Sequence, residues 1–304
     1  MTNQNQLAAL ASVERIATAN KLWRMLNHPF KYFFAIAYRE LIYPFSKKEM
    51  IVKTNLFNGS PITIALPAST DIYLTGGKSH DSEIRLAKFL IQNLLPDSTF
   101  VDIGAHYGYF SLIASNIVKE GMVYSFEPSS KTFSILQSNL SGLKNAVVLN
   151  KAVSDKSGHV VFYEFDNLHS EYNSTQVAQF ENQNWFKELK PQTHEIDSVS
   201  LANFCKENSV IPHIIKIDVE GFENAVIKGG EELWATLNKK PIVVMEYLEQ
   251  SRSNSPHKEA LELLSKWGYS SNIIDKNGKL IPEKNIDAYL QKSSLDSDNI
   301  VFVA

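Results

Sequence analysis

The sequence predicts an α/β fold, a largely parallel sheet with helices on both faces. Three observations predict it. From residue 99 onward, short apolar runs of strand length alternate with segments of helical period. Two of these runs, Val101-Asp102-Ile103-Gly104 and Tyr124-Ser125-Phe126-Glu127, end in acidic residues or glycine just before a helical segment begins. The composition, 44% hydrophobic and 21% charged over 304 residues, is that of a globular chain able to bury one large core.

The first residues, Met1 to Gln6, are polar and lack the basic start of a secretory signal. No stretch approaches the roughly 18 uncharged apolar residues of a membrane span. A cytoplasmic protein is expected, with a peripheral membrane location as the alternative. The single cysteine, Cys205, excludes an intramolecular disulfide and reads as a small buried residue. A formal net charge of -3 gives no overall case for nucleic acid.

Lys21 to Glu49 is the first unusual region. It carries six basic residues, Lys21, Arg24, Lys31, Arg39, Lys47 and Lys48, against Glu40 and Glu49. Phe30, Phe33, Phe34, Ala37, Tyr38 and Leu41 follow one helical face. Pro29 suits the start of that helix and Pro44 its end. Such a helix can lie on an anionic membrane, pack on its own domain or mediate self-association. Met50 to Leu56 and Pro61 to Leu66 read as strands joined through Asn58-Gly59, a hairpin signal. Residues 1–81 thus form a helical and hairpin extension, and residues 82–304 the main domain.

In that domain, Ser82 to Leu95 reads as a helix, closed by Pro96-Asp97. Thr99 to Ile103, Met122 to Phe126 and Ala146 to Val153 read as strands, separated by helices at Tyr109 to Lys119 and Thr132 to Leu140. His159 to Phe165 alternates as an extra strand. Ile214 to Asp218 and Ile242 to Tyr247 are further strands, each followed by a helix, the second at His257 to Trp267. Ser270 to Ile274 and Asn299 to Val303 complete the sheet. Residues 166–192, rich in Asn, Gln and Ser, read as an insertion, either a lid carrying substrate contacts or a disordered loop.

The run from Phe100 to Gly108 holds the clearest chemistry. Glycines after an apolar strand let backbone approach a ligand closely, and open α/β sheets bind ligands beyond the strand ends. The run is not the G-x-G-x-x-G of a nicotinamide site. Asp102 suits a cationic amino group better than a pyrophosphate. Glu127 ends the next strand, where a carboxylate can accept hydrogen bonds from a ribose diol. Together these features favour S-adenosylmethionine. Further on, Lys216, Asp218 and Glu220 share one face of an extended chain. A lysine in so apolar a run requires a partner carboxylate.

These runs resemble the FkbM family of methyltransferases. The resemblance lies in V-D-I-G-A-H-Y-G-Y-F-S (Val101 to Ser111), Y-S-F-E-P (Tyr124 to Pro128) and N-K-A-V-S-D (Asn150 to Asp155). It continues in I-K-I-D-V-E-G-F-E (Ile215 to Glu223), its most specific part, and V-V-M-E (Val243 to Glu246). His106 stands where the family usually carries Asn, and Ala202 near a usual acidic position. The resemblance implies a Rossmann-like class I methyltransferase fold with a seven-stranded, mostly parallel sheet. It implies methyl transfer from S-adenosylmethionine, commonly to an oxygen on a sugar or natural product. By position, Asp102, Gly104, His106 and Gly108 would lie along the methionine side and Glu127 at the ribose. Ser154 and Asp155, ending the third strand, would lie at the adenine.

A hydroxyl acceptor benefits from a general base. Asp218 and Glu220 lead the candidates, with Lys216 positioning one carboxylate. Glu246, His169 and His194 follow. Clustered carboxylates can also hold a divalent metal, but the sequence has no dedicated metal spacing and none is assigned. The expected partner is a small-molecule or glycan acceptor. The alternatives are a nicotinamide-dependent oxidoreductase, a non-catalytic binding or membrane module, and, below O-methylation, an N-methyltransferase. The N/D-P-P-Y/F motif of the last is absent.

Overall fold

The protein is described by a computed structural model covering residues 2–165, 191–252 and 254–304. Helix α1 (Asn3–Thr18) starts where the Thr2 hydroxyl accepts the Asn5 N–H. It buries Gln6, Leu10 and Val13, and Glu14 meets Lys88 at 2.7 Å. Its apolar stripe is short, which is why the sequence does not announce it. Asn20 caps α2 (Lys21–Asn27), which buries no residue. Pro29 opens α3 (Pro29–Ala37), of which only Ala35 is buried.

The expectation that Pro44 ends this helix is corrected. The chain passes through a π turn (Tyr38–Ile42) into α4 (Tyr43–Ser46). There the Tyr43 N–H reaches back to the Tyr38 carbonyl. The widened turn accommodates a residue with no N–H to give. Lys47, with φ 50, ends it in the left-handed region.

The hairpin forms as expected, with β1 (Met50–Asn55) antiparallel to β2 (Pro61–Leu66) and Met50 opposite Leu66. Then come α5 (Thr70–Thr75), α6 (Asp81–Asn93), β3 (Thr99–Ile103), α7 (Tyr109–Ile117), β4 (Met122–Phe126) and α8 (Ser130–Leu140). β5 (Ala146–Leu149), β6 (Ala152–Ser154), β7 (Gly158–Glu164) and β8 (Gln192–Ser200) precede α9 (Leu201–Glu207). The chain continues with β9 (Ile214–Ile217), α10 (Glu223–Gly229), α11 (Glu231–Thr236), β10 (Ile242–Leu248) and α12 (Ser255–Lys266). It closes with β11 (Ser270–Ile274), β12 (Leu280–Pro282), α13 (Ile286–Ser293) and β13 (Ser297–Val303).

The main sheet runs β12-β11-β13-β10-β9-β3-β4-β5. From β10 to β5 the pairings are parallel, and from β10 to β12 they are antiparallel. This is the class I methyltransferase type of sheet with eight strands instead of seven, the addition being the edge strand β12. The expected third strand, Ala146 to Val153, is broken. The Asn150 amide donates to the carbonyls of Glu127 and Pro128 and turns the chain. β6 then joins a separate three-stranded sheet, β6-β8-β7.

The parallel strands are buried on both faces. Phe100, Ile214 and Val244 belong to one apolar layer, and Val101, Ile215 and Val243 to the other. The first layer also takes in Leu10, Val13, Ile62 and Ile64, so the N-terminal extension shares the core of the domain. Each such fully buried side chain contributes about 1.5–3 kcal/mol. Among the described residues, no helix is long and apolar enough to cross a membrane. Cys205 is buried as expected. The proposed lid, including His169, lies outside the described residues apart from its final residues. Strand order reverses at β3, which has β4 on one side and β9 on the other. The loops leaving β3 and β9 therefore part at a crevice.

Candidate active site

At that crevice lies a cavity of about 700 Å³, in the size range of small-ligand sites. Its floor is the turn after β3, in which Gly104, His106 and Gly108 all have positive φ (78, 51 and 87). Protein contacts add a second reason for the glycines. A Cβ on Gly104 would stand 1.8 Å from the Asp218 carbonyl oxygen, and one on Gly108 2.8 Å from Leu136 Cδ1. They admit neighbouring protein. Gly104 lines the cavity, and Gly108 does not.

Lys216, on β9, is 2% exposed. Its Nζ lies 3.4 Å from Asp102 Oδ1, 3.2 Å from Asp218 Oδ2 and 3.4 Å from the Gly104 carbonyl oxygen. The partner required by the sequence is thus a pair of carboxylates. Burial works against the lysine's charge, but Asp218 and Asp102 outweigh it and hold Lys216 above the usual lysine range. Burial pushes Asp218 upward, and Lys216, with help from Lys78, overrides this and holds it below the usual range. Asp102 does not line the cavity. It is wholly buried beneath the cavity, where it accepts a 2.6 Å hydrogen bond from Ser111 Oγ. Its carboxylate faces Lys216 from within the protein.

Glu127, at the end of β4, lines the cavity. Its Oε2 accepts the His106 N–H at 2.9 Å and its Oε1 the Ser129 N–H at 3.0 Å. A carboxylate has about four acceptor positions, two more than these bonds use. Burial pushes Glu127 up to about 7. The same burial pushes His106 down to about 3, so this imidazole is neutral. Ser154 and Asp155 do not reach the cavity. The break after β5 sends Ser154 into the small sheet, where its Oγ donates to Asp155 Oδ1. Lys151, Ala152 and Val153 line the cavity in their place.

Asp218, Glu220 and Glu246 bring one carboxylate oxygen each to within 4.8 Å of one another. The alternation Lys216-Asp218-Glu220 does not account for this, because β9 ends at Ile217. Glu220 has φ 53 and sits in the following turn. Burial, then the charges of Glu246 and Asp218, push Glu220 well above the usual carboxyl range. Burial, then Asp218, pushes Glu246 up to about 8. The three can share a proton or, with protons displaced, hold a divalent cation.

Glu223 shapes the turn. Its Oε1 accepts the N–H groups of Val219 and Gly221, both at 3.3 Å, and His257 Nε2 stands 3.2 Å from its Oε2. Sequence reasoning quoted Glu223 in the motif but did not single it out, and it missed His257. Only the fold shows that both are fully buried behind the loop. It also missed Lys78, Arg252, Ser297 and Asn299 at the cavity wall. His194 is about half exposed, 3.4 Å from Glu164, and away from the cavity.

The chain is similar to a known family and to several known proteins. The methyltransferase FkbM domain model matches residues 102–271. Methyltransferase sdnD of Sordaria araneosa is 26% identical over 187 residues, 53% of this chain and 70% of that protein. The FkbM methyltransferase structure from Methylobacillus flagellatus KT aligns with a TM-score of 0.43 at 14% identity, covering 78% of this chain and 53% of that one. The chain therefore spans about half the length of that protein. Aeropyrum pernix fibrillarin, solved with natively bound S-adenosyl-L-methionine, aligns with a TM-score of 0.39 at 12% identity over 72% of this chain and 73% of that one. With more than half of its length matched by that model and the family's motifs standing at the switch point of its sheet, the chain belongs to the FkbM family of S-adenosylmethionine-dependent methyltransferases.

Proposed function

We propose that the protein methylates a hydroxyl oxygen on a sugar, glycan or natural product. The observation that carries this reading is the carboxylate cluster at the cavity, where Glu246 is pushed up to about 8 and Glu220 well above the usual range. A hydroxyl is a weak nucleophile, and a base whose pKa lies near the operating pH serves it best. When bound, S-adenosylmethionine supplies an electrophilic sulfonium methyl.

The chain's own residues do the rest. Glu127 offers two acceptor positions to a diol. Lys216 keeps Asp218 anionic, and Asp218 in turn raises the proton affinity of Glu220 and Glu246. With S-adenosylmethionine bound, the hydroxyl proton would pass to this cluster as the bond from oxygen to the methyl carbon forms and the methyl–sulfur bond breaks, leaving the neutral thioether. Glu223 fixes the turn that carries Glu220, and alignment across the cavity supplies the proximity term.

The test is calorimetric titration with S-adenosylmethionine, S-adenosylhomocysteine and NAD, followed by turnover on a panel of hydroxyl acceptors. Saturable binding of the first two, lost in Glu127→Ala, supports the reading. Folded protein that binds none of the three would point to a non-catalytic module. Full turnover in both Asp218→Asn and Glu220→Gln would sink the base assignment. The same three carboxylates favour a second reading, a divalent cation that orients a vicinal diol. Loss of turnover in chelator, restored by the metal, would establish that one.

A further inference from the structure

The surface formed by α2, α3, the π turn and α4 is apolar and outward-facing. Phe30 is 91% exposed and Phe45 88%, and Leu22, Trp23, Leu26 and Phe33 are each more than half exposed. Helix α2 buries no residue at all, and α3 buries only Ala35. A helix of seven residues is marginal by itself in water. Exposed apolar side chains in this number on adjoining helices mark a surface that something covers.

Charge identifies the occupant. Residues 21–49 carry six basic and two acidic side chains, a net of +4 in a chain whose formal net is -3. The remainder is therefore at -7. Lys21, Lys47 and Lys48 are exposed on the same elements as the aromatic residues, whereas Arg24 donates to the Ala17 and Ala19 carbonyls and Arg39 pairs with Glu40. A two-fold dimer through this face would set the same positive patch against itself. An anionic bilayer meets both properties at once, because its interface takes up aromatic side chains and its headgroups attract the lysines and arginines. No described helix can span the bilayer, so the contact lies in the plane of the surface.

We infer that α2 to α4 dock this protein on an anionic membrane surface, with the aromatic side chains in the headgroup layer and Lys21, Lys47 and Lys48 on the lipid phosphates. Arg24 and Arg39 also line the cavity that holds Lys216 and Asp218, so the docked face borders the candidate active site.

The test is flotation of the full chain with phosphatidylcholine vesicles, with and without phosphatidylserine, at low and high salt. Two double variants are compared, Phe30→Ser with Phe45→Ser, and Lys21→Glu with Lys48→Glu. All four side chains are exposed, so circular dichroism should be unchanged. The expected result is binding to phosphatidylserine vesicles that weakens at least tenfold in the aromatic variant. It should fall about fivefold or more per reversed charge, and with salt. Absence of vesicle binding, or equal binding to neutral vesicles, overturns the inference. So does a wild-type dimer in ultracentrifugation that the aromatic variant dissociates. The readout involves no cofactor, so its failure is separate from any failure of the methyl-transfer reading.

Discussion

The backbone of Gly104 packs against the carbonyl oxygen of Asp218 so closely that a Cβ would stand 1.8 Å from it. The two loops of the switch point are in direct contact here, and the contact is backbone on backbone, so neither side can rotate away. Gly104 also has φ 78, which disfavours any other residue. Gly104→Ala is expected to cost about 2–4 kcal/mol and displace both loops. Thermal unfolding should show a lower midpoint, and titration with S-adenosylhomocysteine a loss of affinity. Wild-type values for both would mean that the loops can part freely.

Lys216→Met is the next test. It removes the cation between Asp102 and Asp218 and leaves Lys78 as the remaining lysine that acts on Asp218, and breaking a buried pair from one side costs about 3–5 kcal/mol. Asp218 has a lowered pKa, so its contribution is present above the ordinary aspartate pKa and is lost as pH falls through the lower folded value. Lys216 has a raised pKa, so its contribution is present below the ordinary lysine value and is lost as pH rises through the folded one. The variant should therefore lose most at neutral pH and converge on wild type only at strongly acid or alkaline pH, as urea denaturation across pH would show. A parallel deficit at every pH would refute the ion-pair account.

Much of this site is legible in the sequence because strand ends are short-range features. Asp102 to Gly108 and Glu127 can be placed from apolar runs that stop at acids and glycines, and Lys216 declares its need for a carboxylate by its apolar neighbours. What is illegible depends on long-range contact. Asn150 turns the chain by reaching Glu127 and Pro128, more than twenty residues earlier, and this removes Ser154 and Asp155 from the cavity. Glu246 meets Glu220 only through the pairing of β10 with β9. Helix α1 is tied down by burial against the domain, and its weak apolar stripe carries no such message.

Glu127 should make cofactor affinity depend on pH. Burial raises it to about 7, so in the free protein it is partly protonated at neutral pH. A charged carboxylate accepts hydrogen bonds more strongly than its protonated form. Affinity for S-adenosylmethionine should rise up to about tenfold between about pH 6 and pH 8 and then level off. In Glu127→Gln the dependence should vanish and affinity should fall about 10–100-fold. Calorimetry at several pH values decides the matter, and a pH slope surviving in the variant would assign it to another group.

Glu246→Gln should separate stability from turnover. Glu246 is pushed from the ordinary 4.5 up to about 8, first by burial and then by Asp218. A carboxyl raised in the folded state contributes stability below its unfolded pKa and loses it as pH rises through the folded value. The wild type should thus become less stable between about pH 5 and pH 8, as the cluster is forced to ionise. Glutamine keeps the shape and removes one acid from the crowd, so the variant should be more stable by about 1–2 kcal/mol at the alkaline end. With one of the charges that, after burial, raise the proton affinity of Glu220 gone, turnover should fall about 10²–10⁴-fold. A purely structural carboxylate would move stability in this way and leave the rate alone. A dedicated metal ligand would lose both turnover and stability when metal is present. Guanidinium denaturation at acid and alkaline pH, set beside turnover with and without chelator, distinguishes the three cases.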